Sequence, residues 1–240
     1  MSESAPEDLV SIVVPTYNEA EGLPRFVEAV FAVLRDREVD AEMVIVDDNS
    51  PDGTGRVADE LATRFQVRVL HRQGKLGLAS AVVDGFHLAK GRILGVMDAD
   101  LSHSPSAIPD LVKVIQSGEA ELAVGSRYVP GGGTEGWPLR RRVVSKAACW
   151  LARPLSGVRD ATSGFLFMRR EVVEGVQLNP IGFKIGLEII AKGRYRRCVE
   201  VPYVFRDRFA GSSKFGKREI IAYLRQLVSL AGERLLAKVS

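Results

Sequence analysis

The sequence predicts an α/β fold in which a mostly parallel sheet is flanked by helices. Short runs rich in β-branched residues alternate with segments whose apolar residues recur at helical spacing, which is typical of βαβ units. Polar turns follow the predicted strands, and parallel sheets bind ligands at those strand ends. The composition, 46% hydrophobic and 26% charged over 240 residues, is ordinary for a soluble globular chain. We therefore expect one large domain at residues 1–216 and a C-terminal amphipathic helix at 217–240.

The predicted elements follow one another along the first half. The first strand is predicted at Leu9 to Val14 and stops at Pro15, and the first helix spans Leu23 to Arg35. Pro24 suits the first turn of that helix, where its missing N–H has no helical partner to lose. The remaining predicted elements are a strand at 42–46, a helix at 55–65, a strand at 67–70, a helix that ends at 88 and a strand that begins at 93.

Two carboxylates, Asp98 and Asp100, follow the strand that begins at Ile93. Carboxylates this close raise each other's pKa unless a cation or hydrogen-bond donors lie between them. Mg²⁺ and Mn²⁺ are hard cations that proteins hold through one or two carboxylates while substrate phosphates complete the shell. The motif therefore predicts a metal-bound diphosphate. The alternative is an acidic turn before a helix, with Ser104 as the N-cap and Pro105 at the first helical position.

Three predicted strand ends carry polar loops, at residues 15–19, 47–54 and 98–103. The ends of parallel strands meet at one edge, so one crevice collects Tyr17, Glu19, Asp47, Asp98 and Asp100. An aromatic ring, carboxylates and a metal together describe a nucleotide site. A Rossmann dinucleotide site is disfavoured because the first strand is followed by Pro-Thr-Tyr-Asn-Glu and not by Gly-x-Gly-x-x-Gly.

Charge and cysteine content add two expectations. The net charge is only +3, but basic residues concentrate in the second half, which indicates an anionic ligand or surface. Cys149 and Cys198 do not have the spacing of a zinc site and fit a reduced cytoplasmic protein. The first residues lack the basic and apolar regions of a secretory signal, so the chain is expected to start in the cytoplasm.

The motifs resemble those of dolichol-phosphate (polyprenol-phosphate) mannose synthases, a branch of the inverting family 2 glycosyltransferases with a nucleotide-binding, glycosyltransferase A-type sheet. The most specific matching pieces are residues 15–19, 47–54, 98–103, 125–128, 136–139, 207–208 and 211–214. The resemblance implies transfer of mannose from GDP-mannose to a polyprenyl (dolichyl-type) monophosphate, with Mg²⁺ or Mn²⁺ as cofactor and no nucleic acid as partner. The alternatives are a UDP-glucose-dependent polyprenyl-phosphate glycosyltransferase and a non-catalytic nucleotide-sugar-binding subunit.

The same resemblance implies roles for individual residues. The guanine nucleotide would contact Pro15, Tyr17, Glu19, Ile45 and Asp47. The diphosphate and its metal would meet Asp98, Ala99 and Asp100, and Ser102 would be a weaker metal ligand than the Gln of some relatives. The acceptor phosphate would be held by Arg127, Arg141 and Ser145. The leaving diphosphate would be stabilised by Asp100 through its metal and by a basic loop that contains Arg208 and Lys214.

A phosphate acceptor also changes the expected mechanism. The second pKa of a phosphate monoester is about 6, so near neutral pH it is largely a dianion and can attack the anomeric carbon directly. An alcohol acceptor would need a general base, and this acceptor does not. Because the donor carries an α-linked sugar, a single in-line displacement would leave a β-linked polyprenyl phosphate sugar.

The last segment, Glu219 to Val239, is predicted as an amphipathic helix. Charged residues interrupt its apolar run, so it does not satisfy the requirement for a transmembrane span. It would either pack on the domain or lie in a membrane interface. Many members of the resembled family continue into transmembrane helices after this point. Here, peripheral contact with the cytoplasmic membrane face or a membrane-protein partner is expected in their place.

Overall fold

Residues 9–179, 184–207 and 217–239 are described by a computed structural model of the chain. The first half contains each of the predicted elements close to its predicted bounds. They are β1 (Val10–Thr16), α1 (Leu23–Asp36), β2 (Ala41–Asp47), α2 (Thr54–Ala62), β3 (Val67–His71), α3 (Leu78–Leu88) and β4 (Ile93–Val96).

The second half is less regular and contains shorter strands. Its elements are α4 (Ile108–Gln116), β5 (Leu122–Ser126), β6 (Gly133–Thr134), α5 (Leu139–Ser156), β7 (Leu166–Arg169), α6 (Ile185–Lys192), β8 (Cys198–Pro202), β9 (Val204–Phe205) and α7 (Lys217–Val239). Short 3₁₀ turns lie at Pro105–Ala107 and Arg170–Val172.

Seven strands form one sheet in the order β3-β2-β1-β4-β7-β5-β8. The pairs β1–β2, β1–β4, β2–β3 and β5–β8 are parallel. Strand β7 is antiparallel to both of its neighbours, β4 and β5. Because β7 reverses direction between them, β4 and β5 point the same way and end at the same edge of the sheet. The predicted mostly parallel sheet flanked by helices is confirmed.

The sheet is covered on both faces, which explains the continuous apolar runs of its central strands. Every residue of β1 and β2 is buried. Side chains alternate between the two faces, so Ile12 packs with Phe26 of α1 and Leu111 of α4. Val13, between Ile12 and Val14, packs with Val82 of α3 on the other face. This arrangement leaves the strand ends as the places where polar side chains collect.

The C-terminal helix α7 packs on the second half of the domain. The Tyr223 hydroxyl donates to the Ala148 carbonyl of α5 at 2.7 Å, and the Lys192 ammonium of α6 lies 2.9 Å from a Glu233 carboxylate oxygen. Apolar side chains occur on its buried side, as at Leu230, and on its exposed side, as at Val228. The predicted helix is present, while its amphipathic character and the division at residue 216 stay predictions. None of the described helices combines the length and apolar run that a bilayer span requires.

Candidate active site

The loops that follow β1 and β2 are joined by hydrogen bonds. Backbone amides of the first loop donate to side chains of the second, because β1 and β2 are parallel neighbours and end together. The bonds run from Asn18 to Ser50 Oγ (3.0 Å), from Glu19 to Thr54 Oγ1 (2.9 Å) and from Ala20 to Asp52 Oδ2 (3.1 Å). The structure thus brings two of the three predicted loops into direct contact.

Within these loops, the predicted nucleotide residues differ in exposure. The ring of partly buried Tyr17 lies under the Lys75 ammonium, which is 3.6 Å from its centroid and so within cation–π range. Asp47 is 3% exposed and accepts from the Ser50 hydroxyl at 2.5 Å and the Ser50 amide at 3.1 Å. Pro15 and Ile45 are buried within their strands, so a nucleotide could meet Ile45 only through its backbone.

Each of the three loops passes through a left-handed residue. These residues are Asn18 (φ 61°), Asn49 (φ 57°) and Leu101 (φ 59°). Asparagine tolerates this conformation, but leucine rarely adopts it, and the cost is on the order of 1 kcal/mol or more. The turn between Asp100 and Ser102 is therefore held in a strained conformation, which the sequence alone did not indicate.

The turn after β4 fits the predicted metal. The Ser102 amide donates to Asp100 Oδ1 at 3.0 Å, and the side chain of Asp98 is 33% exposed. Ser102 itself is 1% exposed, and among the described residues its hydroxyl has no hydrogen-bond partner. The Ser102 hydroxyl and the carboxylates of Asp98 and Asp100 are hard oxygen donors of the kind that suit Mg²⁺ or Mn²⁺.

Other atoms would have to complete such a metal shell. In the part of the chain that the structure describes, no group of three or more His, Cys, Asp or Glu side chains could hold a metal ion. Phosphate oxygens and water normally fill the remaining positions around Mg²⁺. The capping alternative is weaker. A 3₁₀ turn does begin after Ser104, but the Ser104 hydroxyl contacts the Ser106 hydroxyl and does not cap a backbone amide.

His103 links the turn after β4 to an aromatic cluster. Its Nδ1 accepts from the Asp98 amide at 3.1 Å, so the neutral ring carries its proton on Nε2, which is 4.0 Å from Asp98 Oδ2. The imidazole stacks on Phe165 with the ring centroids 5.0 Å apart, and the edges of Tyr203 and Phe205 complete the cluster. Burial lowers the pKa of His103, and the nearby aspartates oppose this only in part. His103 thus acts as a neutral support for the turn.

Arg127, directly after β5, forms a buried bidentate pair with Asp160. Its Nε donates to Oδ2 at 2.8 Å and its Nη2 to Oδ1 at 2.6 Å, while its amide also donates to Oδ2 at 2.9 Å. Burial works against both charges, yet the pair lowers the pKa of Asp160 and raises that of Arg127. The guanidinium is therefore fixed in place by a carboxylate from the loop before β7.

Aromatic rings connect Arg127 to the other two residues predicted to hold the acceptor phosphate. The Trp137 ring centroid lies 5.3 Å from the Arg127 guanidinium carbon and 4.0 Å from that of Arg141, whose Nη1 donates to Asp207 at 2.7 Å. Tyr128 donates its hydroxyl to Ser145 Oγ at 2.8 Å and contacts Arg127 with its ring. The structure brings Arg127, Arg141 and Ser145 into one region, and their assigned roles stay predictions.

The predicted residues of the basic loop, Arg208 and Lys214, lie outside the described residues. The structure adds a pair that sequence reasoning missed, Arg72 with Asp48, whose closest atoms are 2.8 Å apart. Asp48 also accepts from the amides of Leu76 and Gly77. This network fixes the loop that carries Lys75 beside Tyr17. The only signal in the sequence was an arginine placed just after the third strand.

Comparison with known proteins gives a consistent result. The profile of Glycosyl transferase family 2 matches residues 11–176. The dolichol-phosphate mannosyltransferase of Pyrococcus furiosus is 45% identical over 92% of this chain, which spans 63% of that relative. The dolichol-phosphate mannosyltransferase of Saccharomyces cerevisiae is 38% identical, with 92% of this chain and 86% of the relative covered. The polyprenol monophosphomannose synthase of Mycolicibacterium smegmatis is 40% identical, with 90% and 84% covered.

Solved structures share the fold at lower identity. A glucosyl-3-phosphoglycerate synthase from Mycobacterium tuberculosis, in complex with Mn²⁺, UDP and phosphoglyceric acid, has a TM-score of 0.69 and 22% identity. The match covers 95% of this chain and 78% of that one. A mannosyltransferase from Pyrobaculum calidifontis in complex with GDP-Man and Mn²⁺ has a TM-score of 0.62 and 18% identity, with 92% and 64% covered.

Proposed function

Because this chain belongs to glycosyl transferase family 2, we propose that it transfers mannose from GDP-mannose to a polyprenyl (dolichyl-type) monophosphate and forms the β-linked product with inversion. The observation that carries the proposal is that two kinds of anion site meet around His103. His103 accepts a hydrogen bond from the amide of Asp98, which with Asp100 suits a metal-bound diphosphate. The His103 ring also contacts Phe205, whose ring centroid lies 5.6 Å from the guanidinium carbon of Arg127. A donor diphosphate and an acceptor phosphate could therefore be held side by side.

The names of the three relatives support mannose as the transferred sugar and a dolichol or polyprenol phosphate as the acceptor. In the proposed complex, Asp98, Asp100 and Ser102 hold Mg²⁺ or Mn²⁺, which supplies positive charge to the leaving diphosphate. Tyr17 and Asp47 lie at the ends of β1 and β2, where they bind the nucleoside. Arg208 and Lys214 are proposed to stabilise the charge of the departing diphosphate.

The acceptor phosphate serves as its own nucleophile in this mechanism. Asp160 is a poor candidate for a general base, because Arg127 holds its pKa below the ordinary value. The residues of this region position the phosphate and neutralise its charge. A single Asp or Glu variant that removed the acidic limb of the pH–rate profile, with GDP binding unchanged, would instead reveal a protein base.

The direct test is to incubate the protein with radiolabelled GDP-mannose, UDP-glucose and related donors, polyprenyl phosphate and Mg²⁺ or Mn²⁺, and to extract the lipid product. We expect label in the organic phase with GDP-mannose, and a metal-dependent rise in melting temperature that is larger with GDP than with UDP. Preference for UDP-glucose would favour the glucose-transferring alternative. Nucleotide binding without transfer to any acceptor would favour the non-catalytic subunit.

We further propose that helices α5 and α7 contact an anionic membrane surface. Exposed apolar side chains on these helices include Leu139 (73% exposed), Trp150 (72%), Ile221 (51%) and Val228 (73%). Exposed basic residues lie among them, and α5 contains no Asp or Glu; the basic residues are Arg140, Arg142, Lys146, Arg153 and Arg225. Apolar and basic side chains together match an interface of acyl chains and anionic headgroups.

This proposal predicts a loss of vesicle binding. Trp150→Glu and Val228→Glu each remove apolar contact and add repulsion, so we expect each to weaken binding to phosphatidylglycerol vesicles roughly tenfold or more. Leu76→Glu is the matched control, because Leu76 is 64% exposed but belongs to neither helix. Flotation with purified protein provides the measurement. If the wild-type protein does not float with the vesicles, the surface is better explained as a contact site for a membrane-protein partner.

A further inference from the structure

Lys184 lies next to the Arg127–Asp160 pair, at the start of α6. Its Nζ donates to the Thr162 carbonyl at 3.1 Å, while the Thr162 hydroxyl accepts from Arg127 Nη2 at 2.9 Å. Thr162 thus accepts one hydrogen bond from the Lys184 ammonium with its carbonyl and one from the Arg127 guanidinium with its hydroxyl. Two cationic groups from distant parts of the chain are held on Thr162, in the region assigned above to the acceptor phosphate.

The surroundings of Lys184 show which other groups are near. Burial lowers its pKa to about 8, and the charge of Arg127 acts in the same direction, while Asp98 and Asp160 oppose the change. The ammonium therefore lies within electrostatic reach both of Arg127 and of Asp98, one of the proposed metal ligands. In the proposed reaction, the acceptor phosphate approaches the region where Arg127 and Lys184 both donate to Thr162.

We propose that Lys184 is a further binding residue for the acceptor phosphate and that Gln226 of α7 holds it in position. The inference rests on the proposed function, since it names a contact within the same acceptor site. Two nitrogens of the Arg127 guanidinium already donate to Asp160. The Lys184 ammonium is a separate point charge, which a phosphate dianion can approach from a different direction.

Gln226 supplies the second part of the proposal. This side chain is only 2% exposed, and its Nε2 donates to the Lys184 carbonyl at 3.0 Å. The C-terminal helix therefore reaches the backbone of a residue at the site, although the two are 42 positions apart. Tyr223, on the same helix, makes a comparable bond to the Ala148 carbonyl of α5, which does not involve Lys184.

The first test replaces the charge at Lys184. With farnesyl phosphate as a short acceptor in detergent, Lys184→Met is expected to raise the acceptor KM roughly 10- to 100-fold, as for a lost charge-assisted contact. GDP affinity in the presence of Mn²⁺ should stay within about twofold of the wild type. Lys184→Arg keeps the positive charge but changes its shape, so its acceptor KM should lie between those of the wild type and Lys184→Met. An unchanged acceptor KM, or an equal loss of GDP affinity, would overturn the proposal. If the wild type itself neither transfers mannose nor binds farnesyl phosphate, the proposed function has failed instead.

The second test leaves Lys184 in the chain and compares two α7 variants. Gln226→Met and Tyr223→Phe each remove one hydrogen bond between α7 and a backbone carbonyl, so they should destabilise the protein to a similar extent. Only Gln226→Met should raise the acceptor KM, by roughly three- to tenfold. Equal KM values for the two variants would show that Gln226 is merely structural and would overturn its part of the proposal.

Discussion

Replacement of Asp100 by asparagine is expected to reduce mannosyl transfer by roughly two to three orders of magnitude, a loss typical of removing a group that stabilises charge in the transition state. The Asp100 carboxylate accepts a hydrogen bond from the Ser102 amide, and the side-chain carbonyl oxygen of asparagine can accept the same bond. The fold should therefore survive, while the charge that holds the proposed metal is lost. The measurement is the initial rate at saturating donor, combined with the melting temperature with and without GDP and Mn²⁺.

The matched control for this variant is Glu60→Gln, which neutralises an exposed carboxylate in an ordinary ion pair with Arg56 on α2. Its rate should equal that of the wild type, because exposed pairs of this kind contribute little. Treatment of the wild type with excess chelator should reproduce the loss seen for Asp100→Asn. Full activity in chelator would show that this turn does not hold a functional metal.

The largest loss of stability is expected for Asp160→Asn. The carboxylate is fully buried, and it accepts three hydrogen bonds from Arg127. Neutralising it leaves a buried guanidinium without its counter-charge, which typically costs about 3–5 kcal/mol of the free energy of unfolding. Acceptor use should fall as well, because Arg127 would no longer be fixed. Urea unfolding measured together with acceptor KM separates the two effects.

The control removes both partners at once. Arg127→Met combined with Asp160→Leu should be closer to the wild type in stability than Asp160→Asn, because it leaves no lone buried charge. The pH dependence gives an independent check. The folded-state pKa of Asp160 lies below its ordinary value of 3.8, so the pair stabilises the protein fully above that pH and loses its effect as the pH falls through the folded value. The difference between wild type and Asp160→Asn should therefore shrink in acid; a constant difference would contradict the assignment.

The sequence allowed the first half of the fold and its loops to be predicted for a physical reason. Parallel strands that are buried on both faces have continuous apolar sequences, and the polar residues that follow them lie at the edge of the sheet where ligands bind. Asp98, Asp100 and the loops after β1 and β2 were predicted in this way. Each polar loop directly follows its own apolar strand in the sequence, so local pattern was sufficient.

The acceptor side could not be found from local pattern. Arg127 and Asp160 are 33 positions apart, and they meet because β7 runs antiparallel between β4 and β5, which places the loop before β7 beside the end of β5. The left-handed conformation of Leu101 was also hidden, since leucine carries no signal for it. Lys184 carries no signal in the sequence either, since a lysine before an apolar helix normally faces solvent.

The position of β7 also sets the sequence of events as the chain is synthesised. Strands β1 to β4 can pair with one another once residue 96 has been made, but β5 has no hydrogen-bonded connection to them until residues 166–169 arrive. During that interval β4 presents an unpaired edge, which is the kind of surface that recruits other chains. The first four strands are therefore made well before the edge of β4 is covered, which happens only when the four-residue strand β7 is inserted.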